Sequence, residues 1–307
     1  MKTNTRNYKQ RAFSLFELAI VLLIIAVLFG STLVIVMTTA EQQRLANTSD
    51  SLNKIEEALA IFIAINGRLP CPAAPAQAQD SNSFGIEQKT TAQPTVCNTS
   101  TGIFSGTSAS GEIQDYGIIP VRTLGLNDSL MFDGWGNRVG YVVQNAFVNN
   151  GSNSAGVIVT NPSCISPGSS AQNSGSAQYL CYRGQASGSV SGLGNNLIVR
   201  DANLNNISQN AVYVLISHGN NGYGAYNTFG NRNSLPPTSN TLEYDNLNCN
   251  PTTFVCSATG VDTAFIQAPI TQNFDDIVRF KTRNNLLIDC NQYAANACNA
   301  RHGITVQ

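Results

Sequence analysis

The sequence predicts an α+β protein in which one long amino-terminal helix carries a β-rich head stapled by disulfides. Three observations predict it: an apolar run from Phe13 to Met37, an apolar stripe at helical spacing directly after it, and short β-branched runs among eight cysteines further on. The apolar run contains one ionisable side chain, Glu17. Its 25 residues would measure roughly 37 Å as a helix, which predicts a transmembrane half over 13–37. That is longer than the roughly 7–15-residue core of a cleaved secretory signal. Lys2, Arg6, Lys9 and Arg11 precede it without an acid, so this end is expected to stay in the cytoplasm and the rest to face the other side.

The helix is expected to continue as an amphipathic half over 38–66. Leu45, Leu52, Ile55, Leu59 and Phe62 form one stripe, with Gln42, Arg44, Asp50, Lys54 and Glu57 on other faces. Gly67, Pro70 and Pro72 in "NGRLPCP" cannot continue it. Residues 67–307 then read as the head. "VGYVVQNAFV" (139–148), "GVIVT" (156–160), "QYLCY" (178–182), "NLIVR" (196–200) and "AVYVLIS" (211–217) have strand character. Gly-, Ser- and Asn-rich loops separate them, and no internal repeat is evident. "DDIVRFKTRNNLL" supports either a strand or a helix.

A net charge of −1 with 11% charged residues offers no basic face for nucleic acid. The eight cysteines all follow the apolar segment, without a C-x-x-C pair, which favours disulfides over zinc. Eight cysteines allow 105 connectivities. Turn-forming residues between sequence neighbours favour Cys71–Cys97, Cys164–Cys181, Cys249–Cys256 and Cys290–Cys298. No nucleophile elbow, zinc-protease or phosphate-loop pattern occurs. His218 beside Ser217, and His302 near the carboxyl end, do not make a triad by adjacency. The chain is therefore not read as an enzyme.

"KQRAFSLFELAIVLLIIAV" resembles the class III signal of type IV pilins and of the pseudopilins of type II secretion. The resemblance implies cleavage between Ala12 and Phe13, so that 1–12 is a leader peptide, and N-methylation of Phe13. It also implies that Glu17 attracts the terminal ammonium of a neighbouring subunit, so that its charge is compensated on assembly. Ala12 stands where that family usually has glycine, F-S-L-F-E replaces the common F-T-L-I-E, and no proline occurs between Phe13 and Leu69. An ordinary signal anchor, or a secretory signal cut after Ala40, is the competing reading of the segment.

In the head, "GRLPCP", "FDGWGNRVGYVV", "ISHGNNGYG" and "FDDIV" resemble, in order, short motifs of the major pseudopilins. The match implies calcium at Asp275 and Asp276, although Asn220 and Asn221 stand where an acid would face them. Two solvated aspartates at a turn or helix cap are the plainer reading. Trp135, between Gly134 and Gly136, is expected to fill a small core.

The resemblance implies a pilin-like structural subunit that assembles into a type IV-type pilus or a type II secretion pseudopilus. Its implied partners are prepilin peptidase, identical or related subunits, an inner-membrane assembly platform, and the membrane during assembly. Its implied location is the bacterial inner membrane, single-pass with a periplasmic head, then a periplasmic or cell-surface filament. The alternative is a non-polymerising, single-pass anchored protein whose head binds a ligand or surface.

Overall fold

The structure is a computed structural model that describes residues 15–66, 68–90, 97–107, 113–144, 147–148, 197–247, 264–271 and 273–293. The expected strands at 156–160 and 178–182 lie outside these residues, as do Cys164, Cys181, Cys249, Cys256, Cys298 and His302. The chain divides into two compact units, Met1–Ala46 and Asn47–Gln307.

Helix α1 spans Leu15–Asn66. Among the described residues no helix is long and apolar enough to cross a membrane, which corrects the expected transmembrane half over 13–37. Within the described part of this segment stands Glu17, and a carboxylate at bilayer depth is costly without a partner. The same finding overturns the readings built on that span: the polymerising inner-membrane subunit, the single-pass anchored alternative, and the inner-membrane location with a periplasmic head.

In the second unit, α1 buries the stripe Leu52, Ile55, Leu59 and Ile63, each fully inaccessible. These positions recur at three, four and four residues, so they share one face. Ile63 takes the place expected for Phe62, whose ring instead lies under the Arg68 guanidinium, 5.4 Å away. Polar contacts fix the helix against the sheet. Arg279 donates to Ser49 Oγ at 2.7 Å and to Asn53 Oδ1. Lys281 Nζ bridges Glu56 at 3.3 Å and Asp289 at 2.6 Å.

Seven described strands form the sheet: β1 (Phe104–Thr107), β2 (Ile113–Ile118), β3 (Gly140–Gln144), β4 (Leu197–Arg200), β5 (Asn206–Ser217), β6 (Ala264–Ile266) and β7 (Ile277–Thr282). Their order is β1-β2-β3-β5-β4-β6, with β7 also pairing β5. All pairs are antiparallel except β4 with β6. Strand β5 is the axis of the sheet. Its first half pairs β4, and its second half lies between β3 and β7.

The residues Ala211 to Ser217 are all buried. Tyr213 and Leu215 pack in the cluster that contains the α1 stripe, whereas Val214 and Ile216 pack in a second cluster on the other face. A strand covered on both faces reads as a continuous apolar run, which is what "AVYVLI" is. The ambiguous "IVRFKTRNNLL" divides into β7 and then helix α3 (Arg283–Tyr293).

Below the end of α1, a buried ion pair and a disulfide hold the chain. Arg68 donates to both Glu87 oxygens at 2.7 and 2.8 Å, and Cys71 N–H donates to the same carboxylate at 3.1 Å. Cys71 and Cys97 are joined by a disulfide. Cys290 is also disulfide-bonded, and among the described residues no cysteine is free.

Among the described residues one local device occurs at Asp133–Asn137, Asp201–Asn205 and Asn227–Asn231. In each, the first residue's N–H donates to the carbonyl four residues on. Its side-chain oxygen accepts from the N–H groups two and four residues on. The fourth residue has positive φ: Gly136 at 86°, Leu204 at 64° and Gly230 at 81°. Asp and Asn are the side chains that close such loops onto their own backbone. The Asn-rich composition is therefore partly structural. Trp135, at the centre of the first loop, is half-buried rather than a core residue.

Candidate functional site

The polar centre of the head brings together the Asp133 loop, the end of β5 and the turn after it, helix α2 (Thr241–Asp245) and the Asp275–Asp276 pair. Asp133 Oδ2 accepts from Ser217 Oγ at 2.8 Å, at the end of β5. Burial raises the Asp133 carboxyl, and the hydrogen bonds from Ser217, Asn137 and Trp135 offset part of that rise. From Ser217 the chain turns through His218, Gly219 and Asn220 to Asn221. Gly219 has φ 56°, and a Cβ there would stand 2.4 Å from Asp275 O. Only glycine permits this approach.

The loop is thereby pressed onto Asp275. Asn221 N–H donates to Asp275 Oδ2 at 2.8 Å. Asn221 Nδ2 donates to Glu243 Oε1 at 2.7 Å. Asp276 is buried and faces His218 Nδ1 at 3.4 Å, while its other oxygen accepts from Asn246 Nδ2 at 2.8 Å. Asn246 also pairs with both polar groups of Ile266, so it acts as one more strand residue beside β6.

Glu243, Asp275 and Asp276 thus converge, with one ligand atom from each within 4.8 Å of the others. Burial first, then the negative Asp276 and Asp275, push the Glu243 carboxyl up to about 7 against the hydrogen bond from Asn221. Burial and Asp276 likewise raise Asp275. Glu243 is 1% exposed, and Glu243 Oε2 and Asp275 Oδ1 lack hydrogen-bond partners among the described residues. Buried carboxylate oxygens in this state suit a hard cation. The cluster can coordinate a divalent cation.

The sequence motifs point to Asp275 and Asp276 but not to Glu243. Glu243 sits on a short helix α2 (Thr241–Asp245) whose cap is Asn240. The signal was present: Asn240 and Glu243 stand at the capping-box spacing. That spacing locates a helix start, and only the fold brings it to the late aspartates.

At the other end of the chain, Ala12 and Phe13 lie outside the described residues. Glu17 stands in the first turn of α1, where a carboxylate is favoured by the helix dipole. It is exposed, beside Phe16 at 73% and Leu18 at 54%.

No curated protein and no solved structure matches the chain. One family model does, the prokaryotic N-terminal methylation motif, over residues 7–33. The chain therefore carries the class III signal typical of type IV pilins and pseudopilins, proteins that are structural and non-catalytic.

Proposed function

We propose that this chain is a non-catalytic structural protein whose amino terminus is the substrate of a prepilin-type peptidase, and whose head is braced by one calcium ion. The observation that carries the first part is the methylation motif over residues 7–33. The cut falls between Ala12 and Phe13, because that position leaves an apolar first residue about one helical turn before Glu17. Phe13 then carries the N-methyl group. Glu17 is the carboxylate that meets the terminal ammonium of a related chain, and an assembly platform is the further partner that such processing implies.

Calcium is preferred to magnesium for the head because three carboxylates from two separate segments, Glu243 on one and Asp275 with Asp276 on the other, offer an oxygen-rich cage. Magnesium keeps most of its water and usually takes one or two carboxylates. Glu243, Asp275 and Asp276 would hold the ion.

Mass spectrometry of protein purified from its own host tests the processing. The expected mature chain starts at methylated Phe13; an intact Met1, or a start at Glu41, refutes it. Thermal unfolding with calcium and then with a chelator tests the ion. The expected midpoint is higher with calcium, and identical midpoints refute the site.

A further inference from the structure

We propose that Asn221–Gly222 is a self-modifying site, at which ring closure and hydrolysis turn Asn221 into aspartate and so supply a fourth carboxylate to the Glu243–Asp275–Asp276 cluster. This rests on the cation reading above. The argument starts from the placement of the Asn221 amide. Its nitrogen lies 2.7 Å from Glu243 Oε1, and its own backbone N–H is bonded to Asp275 Oδ2 at 2.8 Å. It therefore touches two of the three acids. Conversion to aspartate puts an acceptor-only oxygen where Nδ2 now donates. Two carboxylate oxygens at that separation hold together only around a shared proton or a cation. The product is thus a better cation site than its precursor.

The surroundings favour the conversion. Ring closure needs the next residue's nitrogen and is hindered by its side chain. Residue 222 is glycine with φ 58°, and a Cβ there would stand 2.8 Å from Asn137 Oδ1. The fold thus requires the residue that hinders attack least. Tyr223 N–H donates to Asn221 Oδ1 at 2.9 Å, the oxygen on which negative charge develops as the amide carbon is attacked. Asn221 is exposed, so water reaches it. One contact opposes the reaction. Gly222 N–H donates to His218 O at 3.0 Å and must leave that bond first, which makes the conversion slow.

The chemistry balances with water as the only co-reactant. Gly222 N attacks Asn221 Cγ, a C–N bond forms, and the nitrogen's proton passes to water. The Cγ–Nδ2 bond breaks and the side-chain nitrogen, protonated from solvent, leaves as ammonia. Water then adds at Cγ of the cyclic imide, the new C–N bond breaks, and Gly222 N regains a proton. One water is consumed, one ammonia is released, and the backbone is restored.

The test uses the full chain aged at mildly alkaline pH, with its charge forms separated by ion exchange, mapped by peptide mass, and titrated with calcium chloride. The expected result is amide-to-acid conversion at residue 221, and at least about tenfold tighter calcium binding by the converted fraction. N221D should reproduce that affinity without ageing. N221Q, which would close a larger ring, should gain neither acid nor affinity.

Retention of the amide at 221, an isoaspartyl product, or equal affinity of the converted and fresh fractions overturns the proposal and leaves the cation reading standing. If neither the fresh chain nor N221D nor the aged fraction binds calcium, the cation reading fails and the ligand role of residue 221 falls with it.

Discussion

Two stretches of α1 make an instructive pair. From Leu15 to Ile25 nearly every side chain is large and apolar, and the large apolar ones are 41–88% exposed, with Glu17 and Ala19 exposed among them. From Leu52 to Ile63 the composition is mixed, yet Leu52, Ile55, Leu59 and Ile63 are fully buried. Burial follows the surface available to cover a residue, not the residue's own hydrophobicity. The second stretch lies in the unit that contains the sheet, and Tyr141, Val143, Tyr213 and Leu215 of β3 and β5 share its cluster. The chemistry of the two stretches divides accordingly. The first carries the methylation signal, and the second is part of the head's core.

The largest effect is expected at the lock that follows the buried stretch. Glu87→Ala leaves the Arg68 guanidinium buried without its carboxylate, and such losses typically cost about 3–5 kcal/mol. Urea unfolding should show a loss of that size; a loss below about 1 kcal/mol would mean that water replaces the carboxylate. The same pair sets an acid limit. Burial alone would raise the Glu87 carboxyl, but hydrogen bonds and charge from Arg68, with Lys89 and Cys71 N–H, hold it below its ordinary value. A depressed carboxyl adds stability that is full above its unfolded value and is lost as pH falls through the folded one. In Glu87→Gln, acid unfolding should lose that component, as a flatter stability profile on the acid side.

Leu59→Ala comes next and probes the buried stripe itself. The typical cost is about 2–5 kcal/mol, read as a lower urea midpoint at unchanged slope. Leu22→Ala in the exposed stretch should stay within about 0.5 kcal/mol for the head. Equal effects of the two substitutions would erase the contrast between the stretches.

Reduction of Cys71–Cys97, which are 26 residues apart, should cost about 2–4 kcal/mol, measured with Cys71→Ala/Cys97→Ala. A smaller and pH-dependent effect concerns the cation. Glu243, raised to about 7 in the fold, favours folding below its ordinary value and loses that contribution as pH rises through about 7. Calcium should offset the loss, so its gain in unfolding temperature should be larger on the alkaline side of that value. An equal gain on both sides would count against Glu243 as a ligand.

What the sequence determined by itself is local. The spacing of Leu52, Ile55 and Leu59 set a helical face, Pro70 and Pro72 followed its end, and the apolar run "AVYVLIS" announced a strand, whose cover on both faces only the fold supplied. The amino-terminal signal was legible for the same reason, since it is a contiguous pattern. Tertiary structure decided the rest. "IVRFKTRNNLL" became strand and then helix because Ile277–Thr282 pairs with Ser217–Ala211 of β5, a partner some sixty residues away that periodicity cannot see. The stripe closed on Ile63 instead of Phe62 because Arg68 takes the Phe62 ring face while binding Glu87. Glu243 joined Asp275 and Asp276 because the Asn221 turn, closed by Gly219 against Asp275, brings the capped helix α2 to them. A local pattern records how a segment satisfies its own backbone, whereas a site depends on which distant segments the sheet places side by side.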